Sequence, residues 1–193
     1  MKIRNLLLLG IFAAGVLGAP ALADENTLLG DMSEIDHGGF GGPVVKFTQV
    51  DGAFAVLSGG KGGWIIDHRF VVGGGGYGLA TRHKAKGLEV SGQDLEMGYG
   101  GLILEAIIAS DQLIHFSTEV LIGAGGVTTT RGSEEDAFFV AEPGVSLMLN
   151  ITKFFRMGFG ASYRYTAGVN FGDLDSGDLS GGAAVLTFKF GSF

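Results

Sequence analysis

Between Phe155 and Tyr165 the chain alternates with a period of two, and side-chain size alternates with it. Phe155, Met157, Phe159, Ala161, Tyr163 and Tyr165 fall on one face, while Arg156, Gly158, Gly160, Ser162 and Arg164 fall on the other. Successive side chains of a β-strand point to opposite sides of a sheet, so this segment is a strand with one bulky and one nearly bare face. A segment of this kind builds a sheet curved hard toward its bare side, which is the wall of a narrow barrel.

The pattern recurs. Ile114, Phe116, Thr118, Val120, Ile122 and Ala124 oppose His115, Ser117, Glu119, Leu121 and Gly123. Phe139, Ala141, Pro143, Val145, Leu147 and Leu149 oppose Val140, Glu142, Gly144, Ser146, Met148 and Asn150. Ala184, Leu186, Phe188 and Phe190 oppose Val185, Thr187 and Lys189. The first half alternates less cleanly, with strands expected near 43–50, 53–66, 69–80 and 94–109. In the last of these, Leu95, Met97 and Tyr99 alternate with Glu96. A glycine bulge at Gly100-Gly101 is expected to change the phase, so that Leu102, Leu104 and Ala106 share the apolar face and Glu105 opposes them. The faces of the second and third strands stay open by one residue, because Gly73 to Gly76 carry no side chains. Pro143 removes one ladder hydrogen bond from the sixth strand.

Eight strands result. Their connections add independent information. Asp67-His68, Ser110-Asp111-Gln112 and Ile151-Thr152-Lys153 are short, whereas 81–93, 128–136 and 167–182 are long and polar. Short turns at one end and long loops at the other are the habit of outer-membrane barrels. Asp51-Gly52 is the exception, a type I′ hairpin signal at the loop end.

The N-terminus points the same way. Lys2 and Arg4 precede an apolar run from Leu6 to Leu17, and Ala21-Leu22-Ala23 supplies small residues before Asp24. This is the layout of a cleaved signal peptide over residues 1–23, and the run is too short for a membrane-spanning helix. Residues 24–42 then form a flexible periplasmic lead-in, and 43–193 the barrel. Losing Lys2 and Arg4 takes the net charge from −7 to −9. That balance excludes nucleic acid as a partner. With no cysteine, the chain has no disulfide, thiol or zinc-finger chemistry. Glycine is 36 of 193 residues and proline only three, without a three-residue repeat, which excludes collagen. With 46% of the chain apolar or aromatic, disorder is excluded as well.

Residue size assigns the faces. Five large side chains per strand overfill the interior of an eight-stranded barrel, whereas glycine and serine fit it. The bulky face therefore points outward, into lipid. Aromatics cluster toward the strand ends: Trp64, Phe70, Phe116, Phe155, Phe188 and Phe190 at the short-turn end, and Tyr99, Phe139, Tyr163 and Tyr165 at the long-loop end. Such girdles mark the two membrane interfaces.

On these residues, and on the ending Leu186-Thr-Phe-Lys-Phe-Gly-Ser-Phe193, the chain resembles the small eight-stranded outer-membrane β-barrels of the OmpA/OmpX-like superfamily. The resemblance covers about 43–193. It implies an antiparallel up-and-down transmembrane barrel, probed by the outer-membrane insertion machinery through Phe188, Phe190 and Phe193, and bathed in outer-membrane lipid and lipopolysaccharide. Phe193 departs from the pattern, being out of phase with the other two, and a bend near Gly191 is needed to align it.

With these faces, Glu96, Glu105, Glu119, Glu142, Arg156, Arg164 and Lys189 point into the lumen, with Lys46 and Lys61 as candidate additions. They form either a structural ion-pair network or a narrow ion pathway. His115, Ser117 and Glu119 share a face and could make a nucleophile, base and orienter, with a spacing like that of outer-membrane lipid A deacylases. They lie at the short-turn end and point inward, far from the outer leaflet. His83, Ser91 and Asp94 are the set available at the long-loop rim. Arg82, His83, Lys84 and Lys86 form a basic cluster suited to phosphate. Asp173, Asp175 and Asp178 lack the spacing of an EF-hand loop and read as a turn-rich loop. Gly73 to Gly76 do not make a phosphate loop, since no Gly-Lys-Ser/Thr follows. The expected function is a monomeric, non-enzymatic outer-membrane barrel without cofactor or metal, its lumen filled by side chains, with a structural or loop-mediated binding role. The alternatives are a lipid-modifying outer-membrane enzyme and a soluble lipocalin-like periplasmic carrier, the latter requiring inverted faces.

Overall fold

A computed structural model describes residues 36–82, 94–129 and 135–193; the expected signal peptide, the expected lead-in up to residue 35, and His83, Lys84, Lys86 and Ser91 lie outside the described residues. Eight long strands form the wall: β1 (His37–Val50), β2 (Ala53–Ile66), β3 (Phe70–Leu79), β4 (Leu95–Ile108), β5 (Ile114–Thr129), β6 (Glu135–Asn150), β7 (Phe155–Ala167) and β10 (Gly181–Ser192). Between β7 and β10 lie a two-stranded hairpin, β8 (Asn170–Phe171) with β9 (Leu174–Asp175), and a single helical turn, α1 (Ser176–Leu179).

The wall strands pair antiparallel in sequence order, and β1 pairs with β10 to close the barrel. A walk across directly paired residues measures the stagger. It runs from His37 to Ile66, Phe70, Ala106, Thr118, Val145, Ala161 and Ala184, and re-enters β1 at Phe47, ten positions above its start. A stagger of this size tilts the strands strongly and leaves an interior just wide enough for side chains. Tight curvature is why glycines face one another on neighbouring strands. A Cβ added at Gly101 would lie 2.2 Å from the Ile122 carbonyl oxygen, and one added at its partner Gly123 would lie 2.0 Å from that of Gly100.

The turns follow local chemistry. Asp51 and Gly52 both have positive φ, 50° and 72°, as a two-residue type I′ hairpin requires. Asp67 and His68, also at positive φ, turn β2 into β3. Both prolines of the described chain fall at gaps in the ladder. The β1–β10 pairing skips from Gly41 to Val44 around Pro43, and the β6–β7 pairing skips from Ala141 to Gly144 around Pro143, in each case without loss of register.

Four expectations need correction. First, β1 begins at His37, so six residues assigned to the lead-in belong to the wall; Gly38, Gly39, Gly41 and Gly42 had hidden the alternation. Second, β4 keeps one register from end to end, with no bulge at Gly100-Gly101. Leu95, Met97, Tyr99, Ile103 and Glu105 all point inward and are buried, while Glu96 is on the outer face and exposed. Third, Tyr99 therefore leaves the outer girdle for the interior. Fourth, β10 runs straight through Gly191, and Phe193 turns to the lumen side, stacking on Phe40 at 6.3 Å between ring centroids. Phe188 and Phe190 stay outside, stacked on Phe155.

Elsewhere the size contrast reads the faces as they are. Phe47, Phe54, Trp64, Phe116, Phe139, Phe159, Tyr163 and Tyr165 stand exposed on the outer wall, Phe159 at 65%. Lys46, Lys61, Glu105, Glu142, Arg164 and Lys189 are buried inside.

Candidate functional site

Among the described residues the interior is the one place where charge is concentrated and buried, and it is layered along the barrel axis. At the short-turn end, Ile65, Val71 and Ile107 form an apolar cluster with Phe40 and Phe193. At the loop end, a larger apolar cluster includes Val44, Val50, Leu57, Leu95, Phe138 and Val140. Between them stand three lysine–glutamate pairs.

Lys46 on β1 donates to Glu142 Oε1 on β6 at 2.8 Å. The same carboxylate accepts Tyr99 Oη–H at 2.6 Å and Ser162 Oγ–H at 2.5 Å. The Lys46 ammonium also lies 3.4 Å from the centroid of the Tyr77 ring, a cation–π contact. Lys61 on β2 pairs with Glu119 on β5. Lys189 on β10 pairs with Glu105 on β4 at 2.5 Å, and its ammonium lies over the Phe40 ring.

The three acids come from the consecutive strands β4, β5 and β6, and the three lysines from the consecutive strands β10, β1 and β2. One wall is anionic and the facing wall cationic. Buried charges need partners, and this arrangement supplies them across the lumen. The two arginines of β7 are held differently. Arg156 lies over the Phe193 ring at 4.1 Å. Arg164, with 0% exposure, donates from Nε to the Leu179 carbonyl at 2.6 Å and from Nη2 to that of Gln49 at 3.4 Å. Glu96 stands apart from all of these, on the outer rim. Lys46 and Lys61, which residue spacing left unsettled, are members of the network.

His115, Ser117 and Glu119 do share a face, but His115 is 2% exposed and Glu119 is taken by Lys61. Asp94 is half-buried and Arg82 exposed at the loop end. Asp175 and Asp178 are spent on structure. The Asp175 carboxylate caps α1 by accepting Gly177 N–H at 2.6 Å, and Asp178 Oδ2 returns the bond to Asp175 N–H at 3.0 Å. This is a capping box. Among the described residues no three His, Asp or Glu side chains gather as a metal set.

The 167–182 segment, expected as a plain polar loop, covers the barrel mouth. Val169, Phe171, Leu174 and Leu179 are buried in the same apolar cluster as the lumen residues of the loop end. Four large apolar residues in a supposed solvent loop were the signal that sequence reasoning passed over.

No family model and no curated protein matches the chain. Solved structures do. Neisserial surface protein A (NspA) superposes with a TM-score of 0.54 at 12% identity, covering 81% of this chain and 97% of that one. Ail, the attachment invasion locus protein of Yersinia pestis, superposes with a TM-score of 0.51 at 13% identity, covering 80% of this chain and 97% of that one. At this identity the likeness is one of fold: the chain shares with these structures the closed, eight-stranded antiparallel barrel.

Proposed function

We propose that the protein is an integral outer-membrane barrel whose lumen is filled by side chains, and that its role is structural or carried by the loops, without catalysis. One observation carries this reading: the outer wall exposes large apolar and aromatic side chains from every wall strand, while the three lysine–glutamate pairs lie inside and an exposed pair, Arg69 with Asp67, sits at a turn. In water that surface is far beyond what a soluble monomer leaves uncovered; in a bilayer it is the required one. The fold shared with NspA and Ail supports it. The apolar clusters above and below the charged layer favour a non-conducting lumen over an ion pathway. Lipopolysaccharide and the insertion machinery are the partners this reading implies.

Membrane fractionation followed by gel migration with and without boiling tests it. The expected result is retention with outer membranes through a carbonate wash and a heat-dependent shift in migration. Release as a soluble species would sink the reading and favour a carrier. The enzyme alternative predicts altered membrane lipids on replacing His115 or His83; unchanged lipids in both are expected.

A further inference from the structure

Above the Lys46–Glu142–Tyr99 layer the lumen is a cup with apolar walls and a cationic floor. Its walls are inward-facing residues such as Val50, Leu57, Leu95, Phe138 and Val140. Its floor includes Arg164, the largest fully buried side chain of the described residues. Each lumen glutamate is taken by a lysine. The Arg164 guanidinium is left with two backbone carbonyls and the Tyr99 ring, 5.7 Å from its centroid, and its Nη1, buried, has no hydrogen-bond partner. A buried unpaired donor on a charged group is costly, and it points into a space that the chain itself fills.

The filling is residues 168–180. Their buried apolar side chains occupy the cup, and polar contacts tie them to the rim: Thr166 Oγ1–H to the Ser176 carbonyl at 2.7 Å, Asp51 N–H to the Asp178 carbonyl at 2.8 Å, and the Thr166 and Ser180 hydroxyls 3.0 Å apart. The segment has only one helical turn, and positive-φ glycines, Gly168 and Gly172, interrupt it near its start. It has the build of a lid. Below it, strand side chains place Lys46, Lys61, Lys189, Arg156 and Arg164 against Glu105, Glu119 and Glu142, an excess of cation.

We infer that this cup is a binding site for an amphipathic carboxylate, a single acyl chain with an anionic head, and that residues 168–180 are a displaceable lid occupying it in the ligand's absence. The acyl chain takes the space of Phe171, Leu174 and Leu179. The carboxylate takes Arg164, satisfying Nη1 and replacing the neutral Leu179 carbonyl with an ionised acceptor that can engage the guanidinium through two parallel bonds. A narrow eight-stranded interior admits one chain and not two.

The test uses dodecanoic acid bearing an alkyl diazirine, with the matching dodecanol as control, added to the full protein in lipid vesicles and photolysed. Labelled residues are mapped by mass spectrometry. Inward and outward positions alternate, so the map separates a lumen ligand (Leu57, Leu95, Phe138) from lipid-face labelling (Phe139, Val145), which reports the membrane reading independently. Because the chain lacks cysteine, an Asp136→Cys/Asn170→Cys pair, placed where Asp136 accepts the Asn170 N–H at 2.6 Å, gives a single reversible latch between the lid and β6. The expected result is lumen labelling by the acid in the reduced latch variant, lost on oxidation and absent with the alcohol. Loosening the lid with Phe171→Ser/Leu179→Ser raises it, and adding Arg164→Gln to that variant lowers it about tenfold or more, the loss of one charge-assisted hydrogen bond. Labelling confined to the lipid face in every variant, or lumen labelling equal for acid and alcohol or indifferent to the latch, overturns the proposal.

Discussion

Glu142 is the best place to measure what the buried charges do. Its carboxylate accepts from Lys46 at 2.8 Å, Tyr99 at 2.6 Å and Ser162 at 2.5 Å, and the Lys46 side chain is only 3% exposed. Glu142→Gln keeps the volume and an acceptor oxygen but removes the countercharge and aims an amide donor at a site full of donors. Breaking a buried pair on one side costs about 3–5 kcal/mol, and Glu142→Gln should fall in that range. Lys46→Met should fall at or below its lower edge, because Tyr99 and Ser162 still donate to the remaining carboxylate. Lys46→Met/Glu142→Gln removes both charges and should cost less than Glu142→Gln alone, giving a coupling of about 2–3 kcal/mol. Urea unfolding in lipid vesicles, followed by the emission of Trp64, the single tryptophan and an outward one, reads all three. The reasoning is refuted if Glu142→Gln costs under about 1 kcal/mol, the value of an exposed pair, or if the two changes add.

Face assignments can be checked by moving the fluorophore: in a Trp64→Phe background, Phe190→Trp should be quenched by brominated lipid chains and Phe193→Trp spared, and equal quenching would contradict the inward turn of Phe193. Gly101→Ala should lower the folded fraction by about 1–3 kcal/mol of overpacking, since its Cβ meets backbone, whereas Gly41→Ala, with nothing within 4 Å of its Cβ, should leave heat-modifiable migration unchanged. Asp175→Ala removes the cap of α1 and should weaken the lid by about 1 kcal/mol, read as faster proteolysis between 168 and 180 with the barrel intact; an unchanged cleavage rate would mean that the cap contributes nothing.

The strands with bulky outer faces were legible because size and polarity agree there. On β7, Phe159 and Tyr163 can only face out, and Gly158 and Gly160 can only face in. The reading failed where those two cues part. Near the loop end the interior is apolar, sealed by residues 168–180, so Leu95, Met97 and Tyr99 sit inside while Glu96 sits outside. Polarity alone assigned them the wrong way and required a bulge to repair the phase. Glycine erased the first turn of β1 in the same manner, since a residue without a side chain has no face. The pairing of lysines with particular glutamates was beyond reach, because it depends on the ten-residue stagger that places β1 against β6 across the lumen, and no local pattern encodes that.

The separation of charge between the two walls bears on assembly. Lys46 and Lys189 stand on β1 and β10, the strands whose meeting closes the barrel. If that seam slid by one residue, every side chain on the slipped strand would change sides, and in a bilayer its lysine would face lipid, at about 2–4 kcal/mol near the midplane and less for Lys189, which lies between the girdle residues Phe188 and Phe190, while its glutamate was stranded within. A seam in the correct register incurs neither penalty. On the membrane reading the lumen charges thus penalise a misaligned closure in addition to pairing across the aligned barrel.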